Sequence, residues 1–243
     1  MKEKFRVIIP AGGASSRSGL AYPKTLYKLD GLPILIRVFN IIEEYDKRPL
    51  IVINPDHQIL FEQILNEYGK QAELVMQHSP KGMGDAILQT DDKINKDTNI
   101  ILIWSDIPFL SSITLKHLVD CHIVSRNNFS LVTSLGENCY TIVERENGQL
   151  LRVKETRALG IEPAKKGERD IGLFVFQKQP TYELLKKNAN QEYLAGKQEH
   201  GFLYIIEKLV NNQMKVEGYP LALAKDVLSF NTPGDLEQIK KRI

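Results

Sequence analysis

The stretch FRVIIPAGGASSRSGLAYPKTL (residues 5–26) joins a short apolar run to a loop rich in glycine and serine. The run FRVII has the length and the β-branched composition of a buried strand. Gly12 and Gly13 let backbone N–H groups approach an anion closely, and Arg17 and Lys24 add positive charge. The spacing fits neither the dinucleotide-binding pattern G-x-G-x-x-G nor the P-loop pattern. We therefore predict a phosphate-binding loop of another type; the alternative is a surface loop without a ligand.

Outward from this stretch, apolar runs of strand length alternate with segments of helical periodicity. The predicted strands are 5–9, 50–54, 73–77 and 99–105, and the predicted helices are 33–45, 57–69, 84–94 and 111–126. This alternation is typical of βαβ units and predicts a doubly wound parallel sheet in the first half of the chain. Ligands of such sheets bind outside the carboxyl ends of the strands.

Strands dominate the region after residue 128. The predicted strands are 129–134, 140–145, 149–155, 170–177 and 215–221, and the predicted helices are 180–188, 201–212 and 232–243. Residues 146–149 (ENGQ) predict a hairpin turn, and the polar stretch 156–169 predicts a loop. The second half is therefore expected to add a mixed sheet with flanking helices.

Composition excludes several classes of protein. The chain has 243 residues, of which 42% are hydrophobic, and a formal net charge of +2, so bulk charge indicates neither a nucleic-acid partner nor a membrane surface. No apolar stretch approaches the ~18 residues of a membrane span. Cys121 and Cys139 have no metal-binding spacing, which favours a reducing, cytoplasmic location. The histidines show no ligand spacing either, and His117 and His122 are predicted to lie on a helix surface.

Two polar residues lie at the ends of predicted elements. Asp106, in WSDIPFL (104–110), offers a carboxylate that suits Mg²⁺, or alternatively caps a turn before Pro108. Asn231, in FNTPGDL (230–236), offers a second oxygen ligand, or alternatively caps the helix that follows.

A third motif is QHSPKGMGDA (77–86). Gln77, at a strand end, can read the edge of a base through its amide. Gly82 and Gly84 precede a predicted helix and leave N–H groups for a base or phosphate; the alternative is a flexible turn. No pair of a nucleophile and a general base stands out, which favours chemistry that depends on positioning and charge.

Together, AGGASSRSG, PKTL, the Gln with GMGDA, SDIPFL and FNTPGDL resemble the sugar-1-phosphate nucleotidyltransferases of the GT-A-like, Rossmann-related NTP transferase superfamily. The resemblance is greatest to the pyrophosphorylase domain of bacterial N-acetylglucosamine-1-phosphate uridyltransferases. It covers nearly the whole chain and is weakest over 156–200. It implies a Rossmann-like three-layer α/β fold, with a mostly parallel central sheet and a smaller mixed β lobe. It also implies an Mg²⁺-dependent enzyme that joins a nucleoside triphosphate, with UTP favoured, to a sugar-1-phosphate and releases pyrophosphate.

The resemblance implies roles for the residues that match its motifs. The implied residues are Ala11, Gly12, Gly13, Arg17 and Lys24 for the phosphates, Gln77, Gly82 and Met83 for the base, Tyr140, Glu155 and Asp170 for the sugar, and Asp106 and Asn231 for Mg²⁺, with Arg17, Lys24 and Asp106 as the catalytic group. The chain is expected to be a single domain (1–243), with a nucleotide-binding half (1–127) and a sugar-binding half with the C-terminal helices (128–243). Its expected state is a monomer or a small homo-oligomer.

Three positions depart from the uridyltransferase pattern. Met83 replaces a threonine near the base, and Tyr140 and Asp170 replace a glycine and an asparagine near the sugar. Two alternatives therefore stay open. One is a guanylyl- or cytidylyltransferase of the same superfamily that acts on another phosphate acceptor. The other is a non-catalytic, regulatory nucleotide-binding module, which would bind nucleotide without metal-dependent turnover.

Overall fold

The computed structural model describes residues 4–13, 18–157, 159–189, 199–230 and 232–240. The strands in these ranges are β1 (Phe5–Pro10), β2 (Lys28–Leu29), β3 (Leu32–Pro33), β4 (Leu50–Ile53), β5 (Glu73–Met76), β6 (Asn99–Ile103), β7 (Phe129–Cys139), β8 (Thr141–Glu146), β9 (Gln149–Glu155), β10 (Ala164–Gln177) and β11 (Val216–Tyr219). The helices are α1 (Ile34–Ile42), α2 (Gln58–Glu67), α3 (Met83–Leu88), α4 (Ser112–Ser125), α5 (Lys178–Lys187), α6 (Ile205–Asn211) and α7 (Pro233–Lys240). None of the helices described here has the length and apolar character needed to cross a bilayer.

Seven strands form one central sheet in the order β5-β4-β1-β6-β10-β7-β11. Strands β5, β4, β1 and β6 are mutually parallel, and β11 is parallel to β7. Strand β10 is antiparallel to both of its neighbours, β6 and β7. Six strands therefore run in one direction, and their carboxyl ends meet at one edge of the sheet. Two small antiparallel pairs, β2–β3 and β8–β9, lie outside it.

Alternate residues of the central strands face two separate hydrophobic clusters. In β1, Val7 and Ile9 pack into one cluster with α1, α2 and α4, whereas Ile8 packs into the other with α3, α5, α6 and the β8–β9 hairpin. All three side chains are fully buried. A strand buried on both faces needs apolar residues at successive positions, which explains the continuous run in the sequence. The predicted three-layer α/β fold is confirmed.

Most predicted elements of the first half are present, but the helix predicted over 84–94 ends at Leu88. The Thr90 side chain is fully buried, and its hydroxyl donates to the Ile87 carbonyl (2.7 Å) and contacts the Tyr182 hydroxyl (2.6 Å). A side-chain hydrogen bond to the backbone competes with helix continuation, and a short turn, Asp91–Lys93, follows instead.

The prediction of a loop over 156–169 is wrong for its last part. Residues 164–169 form the first half of β10 and pair with the second half of β7. Polar contacts replace apolar burial here, because Glu168 accepts hydrogen bonds from the Thr133 hydroxyl (2.6 Å) and the Arg145 guanidinium (2.9 Å). Such a segment lacks the apolar alternation from which strands are predicted.

The prediction that His122 lies on a helix surface is also wrong. Its side chain is buried, and its Nδ1 lies 2.9 Å from the Ser130 hydroxyl oxygen. Burial lowers the pKa of His122 to about 4, so the ring is neutral at physiological pH. Its role is packing between α4 and β7.

Candidate functional site

Residues singled out from the sequence follow three strands at the same edge of the sheet. Ala11 directly follows β1, Gln77 directly follows β5, and Asp106 lies three residues after β6. The strand order β5-β4-β1-β6 places Gln77 and Asp106 on opposite sides of the loop after β1. The loop begins firmly anchored, since the buried Ala11 donates its N–H to the Val52 carbonyl (2.7 Å). This edge is where parallel α/β sheets bind ligands.

Lys24 and Asp106 form an ion pair in which Nζ lies 2.8 Å from Oδ2. The other carboxylate oxygen, Oδ1, is buried and has no hydrogen-bond partner among the described residues. No described backbone N–H bonds to this carboxylate, so the structure shows no turn cap at Asp106. An unpaired buried carboxylate oxygen is costly unless something fills its coordination, and a hard cation is the group best suited to do so.

The C-terminal segment approaches Asp106 through its backbone. The Phe230 N–H donates to the Asp106 carbonyl (2.9 Å), which brings the chain just before residue 231 to the site. Asn231 itself and Arg17 lie outside the described residues. Helix α7 is capped by Thr232, which exchanges hydrogen bonds with Asp235 (Thr232 N–H to Oδ2, 2.7 Å; Asp235 N–H to Oγ1, 3.2 Å). Helix capping is the alternative role predicted for Asn231, and in the structure Thr232 supplies that cap.

The two loop glycines differ in their surroundings. A Cβ atom at Gly12 would lie 2.9 Å from Gln77 Oε1, so the strand end after β5 packs against the loop after β1. A Cβ at Gly13 would meet no described atom within 4 Å. Packing within the described chain therefore explains the glycine at position 12, whereas no described atom requires a glycine at position 13.

On the Gln77 side, the GMGDA turn is held by a distant segment. Gly82 has φ of +102°, and a Cβ there would clash with the His200 backbone. Gly84 donates its N–H to the His200 carbonyl (2.8 Å) and lies within α3, so the expectation that its N–H is available to a ligand is wrong. Met83 packs against the hydrophobic cluster that contains α3. Close backbone packing against His200 and Gly201 explains both glycines.

On the other side of Asp106, the half-buried carboxyl group of Glu155 and the buried carboxyl group of Asp170 come together. Burial raises the pKa of Glu155 to about 7, and the negative charge of Asp170 adds to this rise. Burial also raises the pKa of the Asp170 carboxyl, although the Gly172 N–H donates to its Oδ2 (3.0 Å). Asp170 Oδ1 is buried without a hydrogen-bond partner in the described ranges. The pair can therefore hold a proton near neutral pH, and Asp170 Oδ1 is the acceptor that it offers to a polar ligand.

Tyr140 precedes β8 and presents its ring to solvent, with 62% of the residue exposed. Its carbonyl accepts hydrogen bonds from the Thr156 N–H (2.9 Å) and hydroxyl (3.0 Å), which fixes its backbone next to the end of β9. Since β9 ends at Glu155, Tyr140 and Glu155 are neighbours across the hairpin.

Three structural features that shape the candidate site are not predicted from the sequence: a bulge in β10, the docking of His200, and the contact of Asp85 with Gln77. A β-bulge lies between Asp170 and Phe174 in β10, and Gly172 at its centre has φ of +81° and packs against Trp104. A bulge redirects side chains, so this one helps to aim Asp170 at the site. The glycine inside DIGLFVF was the available signal. No sequence signal indicates the docking of His200 or the contact of Asp85 with Gln77.

The described residues contain no cluster of three or more His, Cys, Asp or Glu side chains suited to a metal ion. Mg²⁺ is commonly held by one or two protein oxygens together with substrate phosphates. A single carboxylate beside the loop after β1 is compatible with that mode.

Comparison with known proteins decides the family. The sequence profile of the MobA-like NTP transferase domain matches residues 7–215. The chain belongs to this family. Bifunctional protein GlmU of Buchnera aphidicola subsp. Schizaphis graminum is 25% identical over an alignment that covers 99% of this chain and 51% of the relative. Bifunctional protein GlmU of Streptococcus gordonii is 27% identical, covering 92% of this chain and 48% of the relative. The MobA-like chain thus spans about half the length of these relatives.

Solved structures agree on the fold of this MobA-like chain. The inositol-1-phosphate CTP transferase from T. maritima superposes with a TM-score of 0.73 at 18% identity and covers 99% of this chain and 95% of its own. A candidate glucose-1-phosphate thymidylyltransferase from Bacillus anthracis, solved in complex with a sucrose, gives 0.79 at 14% identity, with 98% and 94% covered. The resemblance inferred from the motifs is therefore confirmed at the level of family and fold.

Proposed function

We propose that this chain transfers a nucleotidyl group from a nucleoside triphosphate, with UTP favoured, to a sugar-1-phosphate and releases pyrophosphate. The observation that carries the proposal is the Lys24–Asp106 pair beside the loop after β1, with one carboxylate oxygen of Asp106 buried and without a hydrogen-bond partner among the described residues. A cation for phosphate and a carboxylate for a metal, set at the ligand-binding edge of the sheet, are the parts that nucleotidyl transfer requires.

In the proposed reaction, an oxygen of the acceptor phosphate attacks the α-phosphorus of the triphosphate. The new bond forms in line with the bond from the α-phosphorus to the bridging oxygen, which breaks as pyrophosphate leaves with the electron pair. The nucleophile is already an anion, so no general base is needed. The protein has to orient two anions against their mutual repulsion. We assign that role to the loop residues Ala11, Gly12, Gly13 and Arg17, and to Lys24.

Mg²⁺ fits the chemistry of this site. We propose that Asp106 and Asn231 hold it through their side-chain oxygens, and the buried oxygen of Asp106 is suited to that role. When bound, Mg²⁺ supplies charge neutralisation for the triphosphate and the departing pyrophosphate. The protein's own contribution is Lys24, which can leave Asp106 for a phosphate oxygen when the substrate arrives.

The remaining residues divide between base and sugar. We propose that Gln77, Gly82 and Met83 line the base side, in the first half of the chain (1–127). Tyr140, Glu155 and Asp170 line the acceptor side, in the second half (128–243). The paired carboxyls are suited to bind acceptor hydroxyl groups, because a carboxylate accepts hydrogen bonds and a protonated carboxyl also donates one.

The decisive experiment measures pyrophosphate release with Mg²⁺ for UTP, TTP, CTP and GTP, each crossed with a panel of sugar-1-phosphates, inositol-1-phosphate and other phosphate acceptors. We expect turnover with UTP and a sugar-1-phosphate, and a loss of about a hundred- to a thousandfold in Asp106→Asn. Asp120→Asn is the matched control, since Asp120 forms an exposed ion pair with Lys116 on α4, away from the edge. Turnover limited to CTP or GTP would identify the cytidylyl or guanylyl alternative. Nucleotide binding without turnover on any acceptor would favour the regulatory module.

A further inference from the structure

The side-chain amide of Gln77 is held in one orientation by two acceptors. Its Nε2 donates to the Asp85 carboxylate (Oδ2, 2.7 Å) and to the Gly82 carbonyl (3.2 Å). An ionised carboxylate and a carbonyl can only accept, so both N–H groups of the amide must face them. The backbone is fixed as well, because the Gln77 N–H donates to the Ile53 carbonyl (2.8 Å). Gln77 is 5% exposed and cannot rotate its amide without breaking these bonds.

The fixed amide determines what Gln77 presents to the loop. With Nε2 committed to Asp85 and Gly82, the carbonyl oxygen Oε1 faces Gly12, 2.9 Å from where a Cβ would stand. In the described part of the chain, no donor is hydrogen-bonded to Oε1. Gln77 therefore offers an acceptor, and not a donor, on the side that faces the loop after β1.

We propose that Asp85 is a positioning residue that makes the base site select bases with a ring N–H, by holding Gln77 with its carbonyl oxygen toward the base. The inference rests on the proposed function, in which Gln77 contacts the base. Uracil and thymine carry a hydrogen at N3 and guanine at N1. Cytosine and adenine have an unprotonated ring nitrogen at that position, which is an acceptor and repels a carbonyl oxygen. The proposal places Oε1 opposite this ring nitrogen and not opposite the neighbouring exocyclic group, so UTP, TTP and GTP are the compatible class, and CTP and ATP the disfavoured class.

Asp85 is suited to this role because its carboxylate accepts a hydrogen bond directly from the Gln77 amide. It lies in the first turn of α3, and its other oxygen accepts a hydrogen bond from Gln89 Nε2 (3.2 Å), one turn later. Without Asp85, Gly82 is the only described acceptor left for the amide, and the amide can turn its NH₂ group toward the base. The amide would then accept either class of base, because a rotating amide can offer a donor or an acceptor.

The test compares equilibrium binding of UTP and CTP, with Mg²⁺, to the wild-type chain and to Asp85 variants by titration calorimetry. We expect the wild type to prefer UTP at least tenfold, as one hydrogen bond lost and one repulsion gained would require. In Asp85→Leu, the preference should fall to threefold or less. Asp85→Asn keeps an oxygen acceptor for Gln77 Nε2 and should retain the wild-type ratio. Gln89→Ala removes the other partner of Asp85 and is the matched control. Asp85→Ala replaces the leucine variant if thermal denaturation shows that the latter is unfolded.

The outcomes separate this inference from the proposed function. An unchanged UTP/CTP ratio in a folded Asp85→Leu or Asp85→Ala chain overturns the role of Asp85, as does a wild type that prefers CTP. A ratio that depends on Asp85, in a chain that transfers no nucleotide to any acceptor, supports the inference and overturns the proposed reaction. Absence of nucleotide binding to the wild type overturns both.

Discussion

The ammonium group of Lys24 lies 2.8 Å from the carboxylate of Asp106, although 82 positions separate the two residues in the chain. Both side chains are more than four-fifths buried. Each charge therefore balances the other in a poorly solvated place, where a lone charge would be costly. In the proposed complex, the phosphates would pair with Lys24 and the metal ion would pair with Asp106. Substrate binding can therefore replace the single Lys24–Asp106 ion pair with two new ones.

The first prediction concerns Lys24→Ala. Turnover should fall about 100- to 1000-fold, because a charge directed at the phosphates is lost. The affinity of the nucleotide-free chain for Mn²⁺ should rise several-fold, since Asp106 no longer has its ion-pair partner. Pyrophosphate release and Mn²⁺ titration measure the two effects. Lys116→Ala, which breaks an exposed ion pair on α4, should change neither. Weaker Mn²⁺ binding in Lys24→Ala would contradict the exchange of partners.

The second prediction concerns the bulge in β10. Gly172→Ala should lower the free energy of unfolding by about 2–4 kcal/mol, since a Cβ there meets the Trp104 ring at 2.8 Å and the residue has φ of +81°. The KM for the acceptor should rise, because the bulge aims Asp170. Chemical denaturation and steady-state kinetics measure these changes. Gly167→Ala, in the same strand with nothing within 4 Å, should be nearly neutral. Equal stability of the two variants would show that the bulge tolerates a side chain.

The third prediction follows from the raised pKa of Glu155. The pKa is about 7 in the folded chain, against 4.5 as the ordinary value. Above pH 4.5 the unfolded chain releases this proton while the folded chain keeps it, so the free energy of unfolding falls as the pH rises from 4.5 to 7. Above pH 7 this loss in the free energy of unfolding is constant, at roughly 3 kcal/mol.

Glu155→Gln lacks this penalty. It should match the wild type in stability at pH 4.5 and exceed it by up to roughly 3 kcal/mol at pH 8. Urea denaturation at the two pH values measures the difference. A stability difference between variant and wild type that is the same at both pH values would show that Glu155 titrates normally in the folded chain.

The fourth prediction concerns Gly84. In Gly84→Ala, the new Cβ would overlap the Gly201 carbonyl oxygen and press on the His200 ring. The turn that holds Gln77 and Asp85 should shift, and nucleotide affinity should fall about tenfold or more with a smaller effect on the KM of the acceptor. Titration of each substrate separately measures this split. Proportional losses for both substrates would indicate general unfolding, which a thermal melt of the variant would reveal.

The layers of the fold could be predicted because they depend on local periodicity. Runs such as NIILI in β6 are buried on both faces, and burial of that kind leaves only apolar residues in the sequence. The first half of β10 could not be predicted, since its stability comes from pairing with β7 and from the contacts of Glu168, which are set by distant residues. The same applies to Thr90, whose partner Tyr182 lies 92 positions away.

The candidate site shows the same division. Asp106 and Gln77 could be singled out because polar residues directly after buried strands lie at the ligand-binding edge. Asp85 and His200 could not, because each acts through a contact that no spacing encodes. The two glycines of GMGDA predict N–H groups that are available to a ligand. For Gly84 the structure shows its N–H bonded to the His200 carbonyl instead, and the His200–Gly201 segment packs closely against both glycines. A glycine in a sequence indicates that another group comes close to the backbone at that position, but the sequence does not indicate whether that group belongs to a ligand or to the protein.

The docking of the GMGDA turn onto His200 and Gly201 also restricts how the two halves of the chain can be recombined. A chimera that takes residues 1–127 from this protein and the remainder from a relative keeps Gly82 and Gly84 but replaces the backbone that they were shaped to fit. Engineered hybrids should therefore exchange the turn together with the segment around His200. A substitution in the GMGDA turn is tolerated only if the segment around His200 changes to fit it, and the reverse also holds. The two segments should therefore co-vary wherever this arrangement is retained.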